Sequence, residues 1–307
     1  MKPPRLPRRP ESRRREVVVP VTSVASASRL LAEAGADADQ AARSAGLDPL
    51  RFDDPTAKIG FAQVGRYLIE CVRASRDDTF ALRLGLTQGP SALNAVGYMA
   101  QQSPDVLSSL ETLRTYGHIF AGGLTLSRER GLAVLECEFL LPRIEGAGLI
   151  SEAAVGILVS VLRQLCGPAW NPLEVRMSRV LPPQPSRWRQ CIGAPVSFGA
   201  DENPVVFSAK WLDQQVERAD PELSRILHDR VAELDADDTT FETLLDRTRF
   251  EIACHLLENS AAAMTQIADL PGYAHPSALS RAFPRWANTS PRDWRAGRPA
   301  GNPHAPA

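Results

Sequence analysis

Residues 267–286 read Ile267-Ala-Asp-Leu-Pro-Gly-Tyr-Ala-His-Pro-Ser-Ala-Leu-Ser-Arg-Ala-Phe-Pro-Arg-Trp286. Two short helical runs flank a glycine, the pattern of a helix-turn-helix. The first is Thr265–Leu270, with Ile267, Ala268 and Leu270 facing inward. Gly272 supplies the turn, where a positive φ costs little, and Tyr273 closes it over the core. The second run begins near His275-Pro276-Ser277 and buries Leu279 and Phe283, four apart. Its outward face carries Ser277, Ser280, Arg281 and, one turn on, Arg285. Short polar side chains with arginines suit a helix that reads base edges and clamps phosphates in a major groove. Between Ser277 and Arg298 there are five arginines (281, 285, 292, 295, 298) against one acid, Asp293. His275, Ser277, Ser280, Arg281 and Arg285 are therefore the expected DNA contacts. Ile267, Leu279, Phe283 and Trp286 are expected to hold the unit together.

Upstream of this motif the pattern stays helical back to Thr239. Thr240 caps a long run with Phe241, Leu244, Leu245, Ile252, Leu256 and Leu257 on one side. Asp201–Asp238 differs in character, with eleven Asp/Glu against four Lys/Arg. Within it Pro221–Leu234 has helical spacing at Leu223, Ile226, Leu227, Val231 and Leu234. The segment reads as an acidic connector (209–238) containing one helix.

The front of the chain mixes two periods. Val24–Gly46 is helical, with Gly35 and Gly46 as stops. Phe61–Ser75 carries Phe61, Val64, Leu68, Cys71 and Val72 on one face. Ser103–Phe120 is a further helix, with Ser103 as N-cap and Pro104 in the first turn. Alternating runs at Gly123–Arg128 and Leu132–Leu140 surround Glu129-Arg-Gly131, a β-hairpin signal. Ser151–Leu165 is a helix apolar nearly all round. Leu173–Val180, Val196–Phe198 and Val205–Phe207 read as short strands. The expected fold class is an α+β N-terminal ligand-binding and dimerisation domain (18–208) followed by a shortened all-α helix-turn-helix domain (239–296). Residues 1–17, with seven Lys/Arg and four prolines in the first sixteen, form a basic tail. Residues 297–307 form a second tail.

Composition narrows the function classes. Of 307 residues, 44% are hydrophobic and 23% charged, and the formal net charge is −1. A polyanion would therefore have to be held by local charge, not by the field of the whole molecule. The five cysteines (71, 137, 166, 191, 254) include no CxxC and no Cys/His cluster, so they read as reduced, mostly buried thiols and no metal is expected. No run of 18 apolar residues occurs, so no membrane span is expected. There is no GxGxxG, P-loop or GxSxG. Histidines 118, 228, 255, 275 and 304 do not pair with Ser or Cys in a nucleophile motif. Neither an enzyme nor a cofactor is expected. Tyr98, Trp170 and Trp188 either line a ligand pocket or pack the core, and the core is the expected place.

Ile267–Arg295 closely resembles the second helix-turn-helix of AraC/XylS-type transcriptional regulators. The shared pattern is Ile-Ala, a Gly-aromatic turn, Ser-x-Phe-Ser-Arg-x-Phe-like spacing, an aromatic, then Ser290-Pro-x-x-Trp294-Arg295. Thr240-Phe241…Leu245…Arg249 looks like the helix joining the family's two units. Leu47–Leu50, Gly97–Met99 with Ser103-Pro104, Cys166–Trp170, Leu173–Val175, Gly193–Phe198 and Asn203…Val206-Phe207 resemble the subgroup with an arabinose-binding-like N-terminal domain. The resemblance covers roughly Val18 to Arg295. It implies promoter or operator DNA as partner, a small-molecule effector of unnamed identity, a homodimer and a cytoplasmic place of work.

The chain departs from that family in two ways. His228–Leu234 should lead into a first helix-turn-helix, but Asp235-Ala-Asp-Asp238 runs straight into Thr239-Thr-Phe241. There is no Ala-x-x-Leu-Gly-x-Ser pattern, so the first unit looks deleted. Pro284 falls inside the second helix, where proline costs about 3 kcal/mol. Either the helix ends at Phe283 or it kinks there and displaces Arg285. One module buries only about 600–1,000 Å² of protein surface on DNA, so a two-fold dimer would be needed to restore two recognition helices. The alternative is a truncated family member without autonomous DNA binding, acting as a ligand-binding or dimerisation partner. If Arg281 clamps a phosphate or reads a base, Arg281→Ala weakens DNA binding and flattens its salt dependence. An unchanged slope of log K against log salt removes Arg281 from the contact list.

Overall fold

The computed structural model describes residues 18–54, 57–116, 122–139, 144–217, 219, 250, 253–254, 257–258, 283–284, 287 and 289–297. Strand β1 (Val18–Pro20) pairs antiparallel with β2 (Lys58–Gly60). Between and after them come helices α1 (Ala27–Glu33), α2 (Ala38–Ser44) and α3 (Phe61–Ser75). The helical run expected at Val24–Gly46 is thus two helices. Gly35 (φ 70°) ends the first, and Asp37 starts the second by accepting from the Gln40 amide at 3.0 Å. Helix α3 has the expected bounds and buries Phe61, Val64, Leu68 and Cys71.

Helices α4 (Phe80–Leu86), α5 (Asn94–Gln101) and α6 (Val106–Tyr116) follow. The N-cap of α6 is Asp105, not Ser103. The Asp105 carboxylate accepts from the Ser108 amide at 2.7 Å, and a carboxylate is also the better partner for the positive helix end. The Ser103 hydroxyl is buried and donates to the Met99 carbonyl at 3.3 Å instead.

The hairpin forms as the alternation predicts: β3 (Gly122–Glu129) pairs with β4 (Leu132–Phe139). Arg130 (φ 49°) and Gly131 (φ 81°) make the two-residue turn, with the positive φ at both positions that a tight hairpin demands. Helix α7 (Ala147–Cys166), β5 (Glu174–Met177), α8 (Ser186–Ile192), β6 (Val196–Phe198) and β7 (Val205–Ser208) complete the domain. The five-stranded sheet has the order β3-β4-β7-β5-β6. All its pairs are antiparallel except β5 with β6, which α8 joins as a crossover. The boundary expected at residue 208 lies inside continuous packing. Leu212 and Val216 are buried in the sheet core, and the Val106 and Val216 amides bond the Gln214 and Pro104 carbonyls.

Two apolar cores result. One joins α1–α4 through Leu30, Leu31, Tyr67, Leu68 and Phe80. The other lies on the sheet, around Leu135, Val159, Leu162, Val175 and Phe207. Helix α7 serves both, giving Ile150 to the first and Val155–Leu165 to the second. Its mean hydropathy of 1.6 and 20-residue length match a membrane span by composition. Twelve of its residues are buried against the protein's own elements, however, and that burial accounts for the hydropathy.

The approach of α4 to α7 is backbone-close. A Cβ at Gly85 would overlap the Ala153 carbonyl oxygen, and one at Gly156 would overlap the Leu82 carbonyl oxygen. Polar groups close the same region. Asp77, 5% exposed, accepts from Arg83 Nη1 and Arg187 Nη2 at 2.7 Å each and from the Thr79 amide and hydroxyl. Burial alone would push its carboxyl up, but these donors outweigh it and hold it below the usual range. Buried Glu152 meets Arg179 at 2.6 Å. Burial nevertheless raises its carboxyl above the usual range, and its second oxygen has no partner. All five cysteines are free thiols. Cys71 and Cys166 are buried and the other three half-buried, fewer fully buried than expected. Burial pushes the thiols of Cys71 and Cys166 up to about 12.

Gly→Ala inside a helix ordinarily stabilises by up to about 1 kcal/mol. Gly156→Ala should do the reverse and lower stability by about 1–3 kcal/mol, because the new methyl meets backbone that cannot rotate away. Gly148→Ala, in the same helix with open space around it, should be neutral or stabilising. Urea midpoints of the two variants check the opposite signs.

Candidate functional site

The C-terminal region shows how the sequence motif around Phe283 is held. Phe250, Ala253, Cys254, Leu257 and Glu258 are helical, and Ala253 and Leu257 are buried. This face runs through positions 250, 253 and 257. Of the apolar stripe expected on this helix, Leu257 is the member among the described residues. Phe283 is fully buried. Its ring centroid lies 5.3 Å from Phe250 and 5.8 Å from Trp294, and Phe250 lies 6.1 Å from Trp294. These tilted and edge-on contacts add to the apolar area each ring buries. Phe283 and Pro284 are both helical, as is Ala287, so the helix does not stop at Phe283.

The Ser290-Pro-x-x-Trp-Arg motif has a local physical cause. It forms the short helix α9 (Pro291–Arg295), with Pro291 at the first position. Ser290 caps it by accepting from the Asp293 amide at 3.1 Å, and the Ser290 hydroxyl donates to the Asp293 carboxylate at 2.6 Å. The cap fixes where Trp294 emerges. Its ring joins Phe250 and Phe283, and its Nε1 donates to Glu258 Oε1 at 2.9 Å. Arg292 and Arg295 are exposed on the same element. His275, Ser277, Ser280, Arg281 and Arg285 lie outside the described residues, as do Ile267, Leu279 and Trp286. What is described is the platform under the expected reading helix.

In the N-terminal domain a cavity of about 160 Å³ opens between the two cores. Its walls include Val64 and Leu68 of α3, Leu113 of α6, Leu124 of β3, and Ala154 and Leu158 of α7. No run of residues along the chain signals it. Tyr98, Trp170 and Trp188 do not line it. They are buried in packing as expected, with Trp170 5.8 Å from Phe207 and Trp188 5.9 Å from Phe198. Arg179 also lies over the Trp188 ring at 5.0 Å. Among the described residues no group of His, Cys, Asp and Glu is arranged to hold a metal ion.

Residues 35–216 match the family described as the arabinose-binding domain of AraC transcription regulator, N-terminal. The chain belongs to the AraC family of transcription regulators. Residues 234–297 match a helix-turn-helix domain, so a regulatory α+β domain is followed by a DNA-binding helix-turn-helix domain. The HTH-type transcriptional regulator VirS of Mycobacterium tuberculosis is 24% identical over 83% of this chain and 92% of its own. The ornithine utilization regulator of Pseudomonas aeruginosa is 19% identical over 91% and 96%. The solved structure of the transcriptional regulator CdpR from Pseudomonas aeruginosa overlaps 70% of this chain and 86% of its own, at 17% identity and a TM-score of 0.41. The alignment with VirS runs over 314 positions, more than the 307 residues of this chain, yet covers 83% of it. Nearly a fifth of the aligned positions, about 59, therefore fall opposite gaps in this AraC-type chain.

Phe283→Ala should remove the centre of the platform, at a cost of about 3–5 kcal/mol to the head. Ser290→Ala should cost about 1 kcal/mol through the lost cap. The fluorescence of Trp294 during urea unfolding, with the other four tryptophans replaced by Phe, reads both. A Phe283→Ala midpoint equal to that of the parent would show that the ring cluster does not hold the head.

Proposed function

We propose that this AraC-family regulator binds promoter or operator DNA as a homodimer, with one helix-turn-helix per chain. His275, Ser277, Ser280 and Arg281 meet base edges and phosphates in the major groove, and Arg285 follows one turn on. The N-terminal domain answers to a small-molecule effector, and the protein works in the cytoplasm beside its DNA. The observation that carries this reading is the helix-turn-helix match over residues 234–297, with its buried Phe283 anchor.

The shortened head is part of the proposal. A complete first unit has no sequence between Leu234 and Thr239 to occupy. Half the phosphate contacts per chain means a lower salt slope and weaker binding by one copy. Two copies on one duplex recover both recognition helices, at half-sites about one helical turn apart or a multiple of it.

Fluorescence anisotropy on the DNA flanking the chain's own gene tests this, titrated from low to physiological salt against unrelated DNA. Selective binding at physiological salt, with two chains per site, is the expected result. Weak binding lost equally from both DNAs as salt rises would overturn it. That outcome would favour the second reading, a family member without autonomous DNA binding. The helical Pro284 is the observation on that side.

A further inference from the structure

The cavity between the two cores has a chemistry that selects its occupant. Protein interiors are close-packed, and voids larger than a water molecule are few. This one measures about 160 Å³ and draws its wall from both cores at once. Val24, Phe61 and Leu84 come from the first core, and Val96, Leu113 and Leu158 from the second. Among the described residues no Asp, Glu, Lys, Arg or His lines it. Its polar side chains are Ser23, Gln88 and Cys137. The Ser23 hydroxyl is committed to the Pro20 carbonyl at 2.7 Å. Gln88 Nε2 donates to the Ser23 carbonyl at 2.6 Å. The Gln88 side-chain oxygen is the one amide acceptor left to a ligand among the lining side chains.

We propose that this cavity is the effector site and that it takes a neutral, largely hydrocarbon molecule the size of one substituted aromatic ring. The ligand carries at most one hydroxyl or N–H, directed at Gln88 Oε1. This rests on the effector reading above and names its chemistry. An apolar cavity of roughly 150 Å³ is large enough to bind benzene and stays dry when empty. A sugar does not fit the wall, despite the arabinose-binding name of the domain. Each of its hydroxyls would need a buried partner, and a hydroxyl buried without one is disfavoured. An amino acid or carboxylate fits less well still, since no charged side chain among the described lining residues would pair with it. The occupant would touch both cores at once. Its binding would therefore stiffen the joint between the helical layer and the sheet, which is how a ligand with no charge could alter the domain as a whole.

The test uses the full chain, with toluene and p-cresol as probes and arabinose and leucine as controls. Thermal unfolding and titration calorimetry read binding. Toluene and p-cresol should each raise Tm by about 3–6 °C at ten times Kd, and the controls should leave it unmoved. Ala154→Leu adds three carbons to the wall and should weaken toluene at least tenfold while the far-ultraviolet circular dichroism stays native. Val64→Ile fills one methylene of the same space, and should weaken toluene two- to threefold even if the larger substitution unfolds the chain. No Tm shift with either probe, or toluene affinity unchanged in a folded variant, overturns the proposal. DNA anisotropy with and without toluene separates the two readings. Binding in the cavity with no change in DNA affinity overturns the effector role while leaving the cavity's ligand class standing. A polar compound that alters DNA affinity while toluene does not bind overturns the cavity proposal and leaves the effector reading intact.

Discussion

The N-terminal domain depends on two helices touching without side chains between them. Gly85 of α4 and Gly156 of α7 bring the backbones together where any Cβ would strike a carbonyl. Gly65 of α3 and Gly146 before α7 repeat the device a few turns away. A Cβ at Gly146 would stand 2.5 Å from the Gly65 carbonyl oxygen. Helix α7 is thereby fixed at two heights against the helical layer, while its other faces lie on the sheet core. Few arrangements let one helix belong to two cores. Glycine contacts achieve this by removing the side-chain layer that normally keeps helix axes about 8–10 Å apart.

The close crossing has a consequence beside it. Ala153 and Ala154, just before Gly156 on α7, are also small, and they line the cavity along with Ile157 and Leu158. Small side chains permit the approach to α4 and, a fraction of a turn away, leave space that the neighbouring Val64, Leu68 and Leu124 do not reach across. The void is thus a by-product of the same composition that makes the joint. The buried Asp77 cluster with Arg83 and Arg187 closes the neighbouring region. That carboxylate ties α4 to α8 over 110 residues of sequence. Its contribution is full above the pKa of an unfolded aspartate, near 3.9. It is lost as pH falls through the lower folded value, as for any carboxylate held down by donors.

Much of this fold was legible because local pattern and final environment agree. Helix α3 has the predicted bounds because its apolar stripe is unbroken. The hairpin is predictable because Arg130-Gly131 sits between two alternating runs. The crossing of α4 and α7 was not legible. A glycine in a helical run reads as a small local cost, and only a partner helix 71 residues away shows what it is for. Helix α4 itself is seven residues long and buried on most sides, so it shows no periodic contrast. The cavity is harder still. Its wall is assembled from eight elements, β1, α3 to α7, β3 and β4, and no single stretch encodes it. The Ser103 cap failed for a local reason, since Asp105 two residues later offers a charge where serine offers a dipole.

The head presents the opposite case, in which sequence says more than geometry. The motif at 267–295 supplies the proposed contact face through residue type and spacing. The described residues show why the rest of that motif has its form. Ser290 and Pro291 start a helix, and the helix delivers Trp294 to Phe283. Pro284 must be judged against that anchor. It has no N–H for the carbonyl four residues earlier, and its ring crowds the preceding turn. Yet its neighbour Phe283 is fully buried and the backbone at Pro284 is helical. The three-ring cluster therefore offsets the strain locally and keeps the helix seated. The residual effect of such a proline is a bend between the turn before it and the turn after it. Of the proposed contacts, His275, Ser277, Ser280 and Arg281 precede Pro284 in the chain and Arg285 follows it.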